Sequence, residues 1–316
     1  LRNIVVGDPA RPDLTIERAQ VVTRLRWGTP GIGRITLQRP RLFGSYRNGR
    51  LSFGSLDSLI FSDSKEPFRL PDLDLAIVDG RGLLESDFGA AGFKIAGMGA
   101  LRDGFTGIVA AVAPDASGGG CRVAKATAFG RISVIREKPA FKGPLRITGL
   151  DCNSRGLRLA HADVDVDATF DPRLDGARAQ LDLAASGLGL PGSKLSQADG
   201  TLLLSWRAGD IRAHYDITGM NLATPQFAAA SLELEGALRT SGGMARIESD
   251  GTLDGQGIAL GRGLEDAIAG AEAAGKGTLL APMLAQVRAA LRREGRGSSL
   301  AGTFTLRRAG EIVSAV

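Results

Sequence analysis

The residues able to do chemistry are few. Of the two histidines, His161 sits in "RLAHAD" and His214 on the polar side of "IRAHYDI". Neither has a cysteine, a second histidine or a Glu-x-x-His partner at ligand spacing, so no metal site is expected. No G-x-S-x-G elbow occurs, and no nucleophile stands at a recognisable spacing from a base. The chain is therefore not expected to be an enzyme, and no cofactor is expected.

Two glycine-rich runs match phosphate-binding patterns by letter. "GLGLPG" at 187–192 has the G-x-G-x-x-G spacing, but Pro191 and "SKLSQADG" turn it into another strand where the phosphate-binding helix should start. "GAEAAGKGT" at 270–278 has the G-x-x-x-x-G-K spacing, yet its interior "AEAA" prefers helix to a phosphate cradle, so Lys276 is expected to end one helix and precede the next. Asp163, Asp165 and Asp167 have the composition of calcium ligands. On a strand they point one way at about 6.6 to 6.8 Å intervals, which suits a solvated face. Cys121 and Cys152, about thirty residues apart, could close a disulfide worth roughly 3 to 4 kcal/mol, which would imply an oxidising compartment. Two buried free thiols are the other reading.

The elements that carry these residues read mainly as strands. In "DVDVDATF", Val164, Val166, Ala168 and Phe170 alternate with Asp163, Asp165, Asp167 and Thr169, giving one dry and one wet side. The same alternation places Ala179, Leu181 and Leu183 together, then Leu202, Leu204 and Trp206, then Ile211, Ala213, Tyr215 and Ile217. Leu232, Leu234 and Leu238 follow, opposing Glu233 and Glu235. Short turns such as "LPGSK", "RAGD" and "TSGG" leave no room for crossover helices, so an antiparallel meander is expected. The N-terminal half repeats the style less cleanly in "LPDLDLAIVDG", "GFKIAGMGA" and "GFTGIVAAVA".

Composition agrees with this reading. Hydrophobic residues make up 43% of 316, but aromatics only 5%, so few large plates exist to fill a thick core. A net charge of +5 is spread along the chain rather than gathered in a stripe, which argues against nucleic acid. No run approaches a membrane-spanning length, so any anchor or export signal is expected upstream of Leu1, and the chain reads as truncated at both ends. Residues 262–297 break the β pattern as a helix pair. Leu280, Leu284, Val287 and Leu291 share one helical face there, with Thr278 as cap and Arg288, Arg292 and Arg293 toward the carbonyl end. This pair is expected to pack on the β-body, with a lid over an apolar groove or a membrane-surface contact as the sharper alternative.

The stretch "RPRLFGSYRNGRLSFGSLDSLI" at 39–60 combines a strand broken by Pro40, an Asn48-Gly49 turn and a brief helical plug over 53–60. With Arg39, Leu42, Leu51, Phe53 and Leu56, it resembles the N-terminal signature of AsmA-like proteins of Gram-negative envelopes. The segments "LPDLDLAIVDGRGLLESDFG", "KGPLRITGLDC" and "GKGTLLAPMLAQVRAALRREGRGS" look most like the YdbH branch, related to TamB and to bridge-like lipid-transfer proteins. The resemblance implies an inner-membrane-anchored periplasmic protein whose curled sheet carries phospholipid toward the outer membrane, with further outer-membrane or periplasmic partners.

The expected fold is thus mainly β, an extended curled antiparallel sheet forming an elongated apolar groove. The expected parts are an AsmA-like β region over 1–120, a β-meander groove over 121–261, the helix pair over 262–297 and the start of another β region over 298–316. About twenty strands at about 4.8 Å each would give a trough on the order of 90 Å. Acyl chains would slide past Val164, Val166, Leu181, Leu183, Leu202, Leu204, Ile211, Ala213, Tyr215, Leu232 and Leu234 without a catalytic residue. The competing expectation is a structural or adhesive periplasmic β-protein whose apolar faces close into a core. A one-residue slip in register would exchange the two faces.

Overall fold

The computed structural model describes residues 1–26, 29–60, 69–153, 156–243, 245–295, 297–309 and 312–315. It divides into two compact units, Leu1–Gly149 with Asp163–Gln180, and Leu150–Ala162 with Leu181–Val316.

The first unit holds β1 (Arg2–Asp8), β2 (Arg11–Arg26), β3 (Thr29–Gln38), β4 (Arg41–Arg47) and β5 (Arg50–Ser52). A 3-10 turn (Gly54–Leu56) then runs into α1 (Asp57–Ile60). After it come β6 (Asp74–Ser86), β7 (Gly89–Ala100), β8 (Phe105–Gly118) and β9 (Cys121–Ile135). The next strands, β10 (Lys138–Cys152), β11 (Leu157–Phe170) and β12 (Gly176–Leu190), have residues in both units. The mainly β, antiparallel expectation holds, with one departure: β6 pairs parallel to both β3 and β4. The long excursion after β4 supplies the crossover length that a parallel pair requires, and the Asn48-Gly49 turn, with φ of 51° and 75°, folds β5 back on β4 within it.

The helical plug is held by carboxylates. Ser55 donates its backbone N–H and its Oγ to Asp13 of β2 at 2.9 and 2.7 Å, and Ser52 Oγ donates to Asp57 at 2.6 Å. The two bonds from Ser55, the side-chain one first, hold the Asp13 carboxyl below its ordinary pKa. A depressed pKa stabilises the fold above the unfolded value near 4 and is lost as pH falls through the folded value. Amide exchange at Ser55, normalised to the intrinsic rate at each pH, is therefore expected to be flat from neutral pH down to about 5 and to rise on further acidification. Asp13→Ala should raise it already at pH 7; equal protection in the variant would show that the clamp holds nothing.

The second unit contains β13 (Ser193–Arg207), β14 (Asp210–Ala223), β15 (Phe227–Ser241), β16 (Arg246–Gln256), β17 (Ala259–Leu260), β18 (Ser299–Ala309) and β19 (Ile312–Ala315). Strands β13 to β16 form an antiparallel meander; β18 pairs with β16, and β19 with β18. Two-residue turns with positive φ at both positions, such as Ala208-Gly209 and Gly119-Gly120, match the right-handed twist of the strands they join.

Between β17 and β18 lie α2 (Arg262–Ala274) and α3 (Leu280–Gly295). Thr278 Oγ1 accepts the Leu280 N–H at 3.2 Å, and Lys276 falls in the turn between the helices as expected. The helices are tied to each other by Arg288–Glu272 and Arg292–Glu265 ion pairs at 2.8 and 2.7 Å. Neither helix has a buried residue, however, and Leu280, Val287 and Leu291 stay exposed. The expected packing of this apolar stripe on the β-body is corrected. The arginine–glutamate pairs join helix to helix, and α3 reaches the strands mainly at the short β17.

Candidate functional site

Alternation fixes what each strand presents. In the second unit, register pairs Leu202 with Tyr215, Leu204 with Ala213 and Trp206 with Ile211. It pairs Ile217 with Leu234 and Gly219 with Leu232. Seven of the expected groove residues, Leu202, Leu204, Ile211, Ala213, Tyr215, Leu232 and Leu234, therefore share one face of β13–β15. Leu181 and Leu183 on β12 are half-buried between exposed Gln180, Asp182 and Ala184. In the first unit, Val164 and Val166 are half-buried on β11, while Asp163 and Asp167 turn to Arg146 and Lys142 of β10 at 3.0 and 2.7 Å. Those aspartates thus meet neighbouring cations, and among the described residues no cluster of metal ligands occurs.

The same face continues through residues that were not singled out as site residues. Leu253 opposes Leu234, and Gly251 lies between Gly236 and Phe304. The alternation of Leu300, Gly302, Phe304 and Leu306 carried this signal for β18; Leu253 stood alone among glycines and polar residues. Opposite faces are polar, with Thr201 facing Asp216, Glu235 facing Thr252, and Thr201 Oγ1 donating to Asp182 at 3.1 Å.

A recurring contact shapes this face. A Cβ on Gly236 would come within 2.6 Å of Tyr215 Oη, and one on Gly251 within 3.1 Å of the Phe304 ring. In the first unit the same holds for Gly82 beneath Phe93, Gly97 beneath Phe105 and Gly130 beneath Phe141. At these positions the aromatic rings lie down on cross-strand glycines and cover backbone instead of standing up from the sheet. Tyr215 completes this with a 3.0 Å hydrogen bond between its Oη and Ser249 Oγ.

Residues in the left-handed region recur along the strands. Asp79, Asp115, Gly149, Gly187, Asn221 and Gly257 all have φ between 50° and 68°, one for each pair of strands at intervals of 34 to 38 residues. Asp, Asn and Gly are the residues that adopt this conformation most cheaply. At Asp79 the β6–β7 register shifts between Ile77 and Gly80, the mark of a β-bulge that increases local twist. In the second unit a cavity of about 740 Å³ opens beyond the strand ends, lined by Leu190, Lys194, Thr224, Pro225, Leu260 and Arg262.

Burial separates an open face from a sealed one. Among the described residues no large side chain is fully buried, and the most buried apolar positions are mainly alanines. A sandwich of two sheets interlocks large aliphatic side chains in a dry interior. Here the leucines and valines of the apolar face are half-buried or, at Leu300 and Leu306, exposed. Neither cysteine is free: Cys121, at the start of β9, and Cys152, the last residue of β10, are disulfide-bonded.

The class so defined is a mainly β protein that keeps an apolar sheet face in contact with its surroundings. The chain belongs to the YdbH-like family, described as intermembrane phospholipid transport protein YdbH, whose sequence model matches residues 1–315. No curated protein matches the chain, and no solved structure does.

Proposed function

We propose that the apolar sheet face is the path of phospholipid acyl chains, a passive conduit along which lipid crosses between the inner and outer membranes of a Gram-negative envelope. Family membership supports intermembrane phospholipid transport in general terms. The observation that carries the finer reading is the half-burial of Leu181, Leu183, Leu202, Leu204, Leu232 and Leu234 on faces with no large, fully buried side chain beneath or above. Such a wall offers methylene contacts along its length, and its Tyr215 and Ser249 hydroxyls are already bonded to each other, which suits a tail that must slide rather than stop. Headgroups remain at the solvated edge, and no step requires a catalytic group.

Purification from an envelope-derived host followed by mass spectrometry is expected to find phospholipid bound to the protein. Lipid-free protein whose apolar side chains resist labelling by a hydrophobic probe would instead favour the closed structural protein.

A periplasmic location, with an anchor in the inner membrane, is part of the same proposal, and the disulfide supports it because such bonds persist in oxidising compartments. A loop of about thirty residues closed by this bond stabilises by roughly 3 to 4 kcal/mol. Reductant is expected to lower the melting temperature of the wild type and to leave a Cys121→Ser/Cys152→Ser variant unmoved. Identical melting of wild type with and without reductant, at verified thiol release, would remove the disulfide from the argument.

A further inference from the structure

The face of β6–β9 opposite Phe93 and Phe105 is apolar as well. Register places Ala76 with Met98, Ala96 with Ile108, Ala110 with Phe129, and Leu83 and Gly92 with Val112. Met98, Ile108 and Phe129 are 59%, 53% and 57% exposed, so these are large side chains standing in solvent. The polar face of β13–β16, by contrast, carries Asp216, Glu233, Glu235 and Asp250. Val78, Met98, Ile108 and Arg131 line a shallow depression of about 630 Å³ on this face.

Charge on the patch has one sign wherever it is unspent. Each carboxylate on β6–β9 is engaged: Asp74 by Arg34, Asp79 by Arg81, Glu85 by Arg47 and Asp115 by Arg122. Lys94, Lys125 and Arg131 have no ion pair among the described residues, and all three share the face of Met98 and Ile108. Lys94 lies across from Ala110, which pairs on its other side with Phe129, and Arg131 lies directly across from Ile108.

We propose that this face of β6–β9 docks the protein onto an anionic lipid bilayer surface. Exposed apolar patches mark interaction sites, and unpaired cations among them match a negative partner. The interleaving selects the kind of partner. A protein covering the patch would bury Lys94 and Arg131 beside Phe129 and Ile108 and would have to repay their desolvation. A headgroup layer leaves both cations at phosphate level, with long stems lying along the apolar side chains, while Met98, Ile108 and Phe129 enter the acyl boundary. This inference concerns a surface separate from the proposed conduit and does not rest on it.

Flotation of the protein with vesicles of phosphatidylcholine, alone or mixed with phosphatidylglycerol, tests the proposal. Binding is expected with the anionic vesicles only and should fall at high salt. Each cation near an anionic surface contributes about fivefold in partitioning, so Lys94→Gln/Arg131→Gln should lower the affinity about 25-fold. Ile108→Ser/Phe129→Ser should lower it as well, and both pairs lie on exposed positions whose melting temperature and co-purifying lipid should not change. Failure of the wild type to float, equal binding to neutral vesicles, or full affinity in both variants would overturn the proposal. So would a concentration-dependent dimer that Ile108→Ser/Phe129→Ser dissolves, since a second copy would then be the occupant. Loss of conduit lipid with intact flotation, or the reverse, tells failure of one proposal from failure of the other.

Discussion

Leu204→Asp and Leu234→Asp are each expected to reduce the phospholipid that co-purifies with the protein tenfold or more while leaving it folded. Leu204 lies opposite Ala213, and Leu234 lies between Ile217 and Leu253, so each carboxylate would stand in the middle of the apolar face. An acyl chain passing an ionised carboxylate either gives up contact or strips water from the charge, and both are costly. The fold is affected far less, because a half-buried position lets the carboxylate keep its water. A loss of about 1 to 2 kcal/mol is expected from the missing leucine contacts, against about 3 to 5 kcal/mol for an uncompensated charge in a sealed interior. Leu203→Asp, one residue away on the polar face, is the matched control and should retain its lipid. Lipid per mole of protein by mass spectrometry, read together with thermal melting, decides the matter. Unfolding of Leu204→Asp would mean that the face is sealed, and unchanged lipid in a folded variant would mean that the tails run elsewhere.

Much of this face was legible because period-two alternation survives wherever one side of a strand must stay wet. Asp163, Asp165 and Asp167 betrayed Val164 and Val166, and Glu233 and Glu235 betrayed Leu232 and Leu234. The logic failed where both faces are apolar. "GFKIAGMGA" and "GFTGIVAAVA" put Phe93 and Ile95 on one side and Met98 and Ile108 on the other, and alternation of polarity cannot mark either. The parallel return of β6 was hidden for a related reason, since pairing partners distant in sequence leave no local trace. Turns carried by glycine were readable. The turn at Arg136-Glu137, with φ of 50° and 61°, uses two residues that rarely adopt that conformation and so gave no signal. For the helix pair, amphipathicity showed that an apolar stripe exists but not what it faces. Leu284 is half-buried while Leu280, Val287 and Leu291 are exposed, a distinction set by the arginine pairs to α2 rather than by the hydrophobic period.

The glycines paired with aromatic rings lead to the last expectation, that Gly236→Val destabilises the second unit by about 4 kcal/mol. A Cβ at this position would lie 2.2 Å from the Asp250 carbonyl oxygen and 2.6 Å from Tyr215 Oη. The carbonyl belongs to the neighbouring strand, so relief requires β15 and β16 to separate, and overpacking of that kind costs about 1 to 3 kcal/mol or somewhat more. The ring cannot simply step aside, because its hydroxyl is bonded to Ser249, one of the few buried polar residues, and breaking that bond adds about 1 kcal/mol. Gly302→Ala supplies the contrast: a Cβ there meets nothing within 4 Å, and its melting should match the wild type. Faster amide exchange confined to β15 and β16 in Gly236→Val would locate the damage at the glycine. If the valine variant melts with the wild type, Tyr215 does not rest on Gly236, and the floor that keeps rings flat along an acyl path loses its best-defined contact.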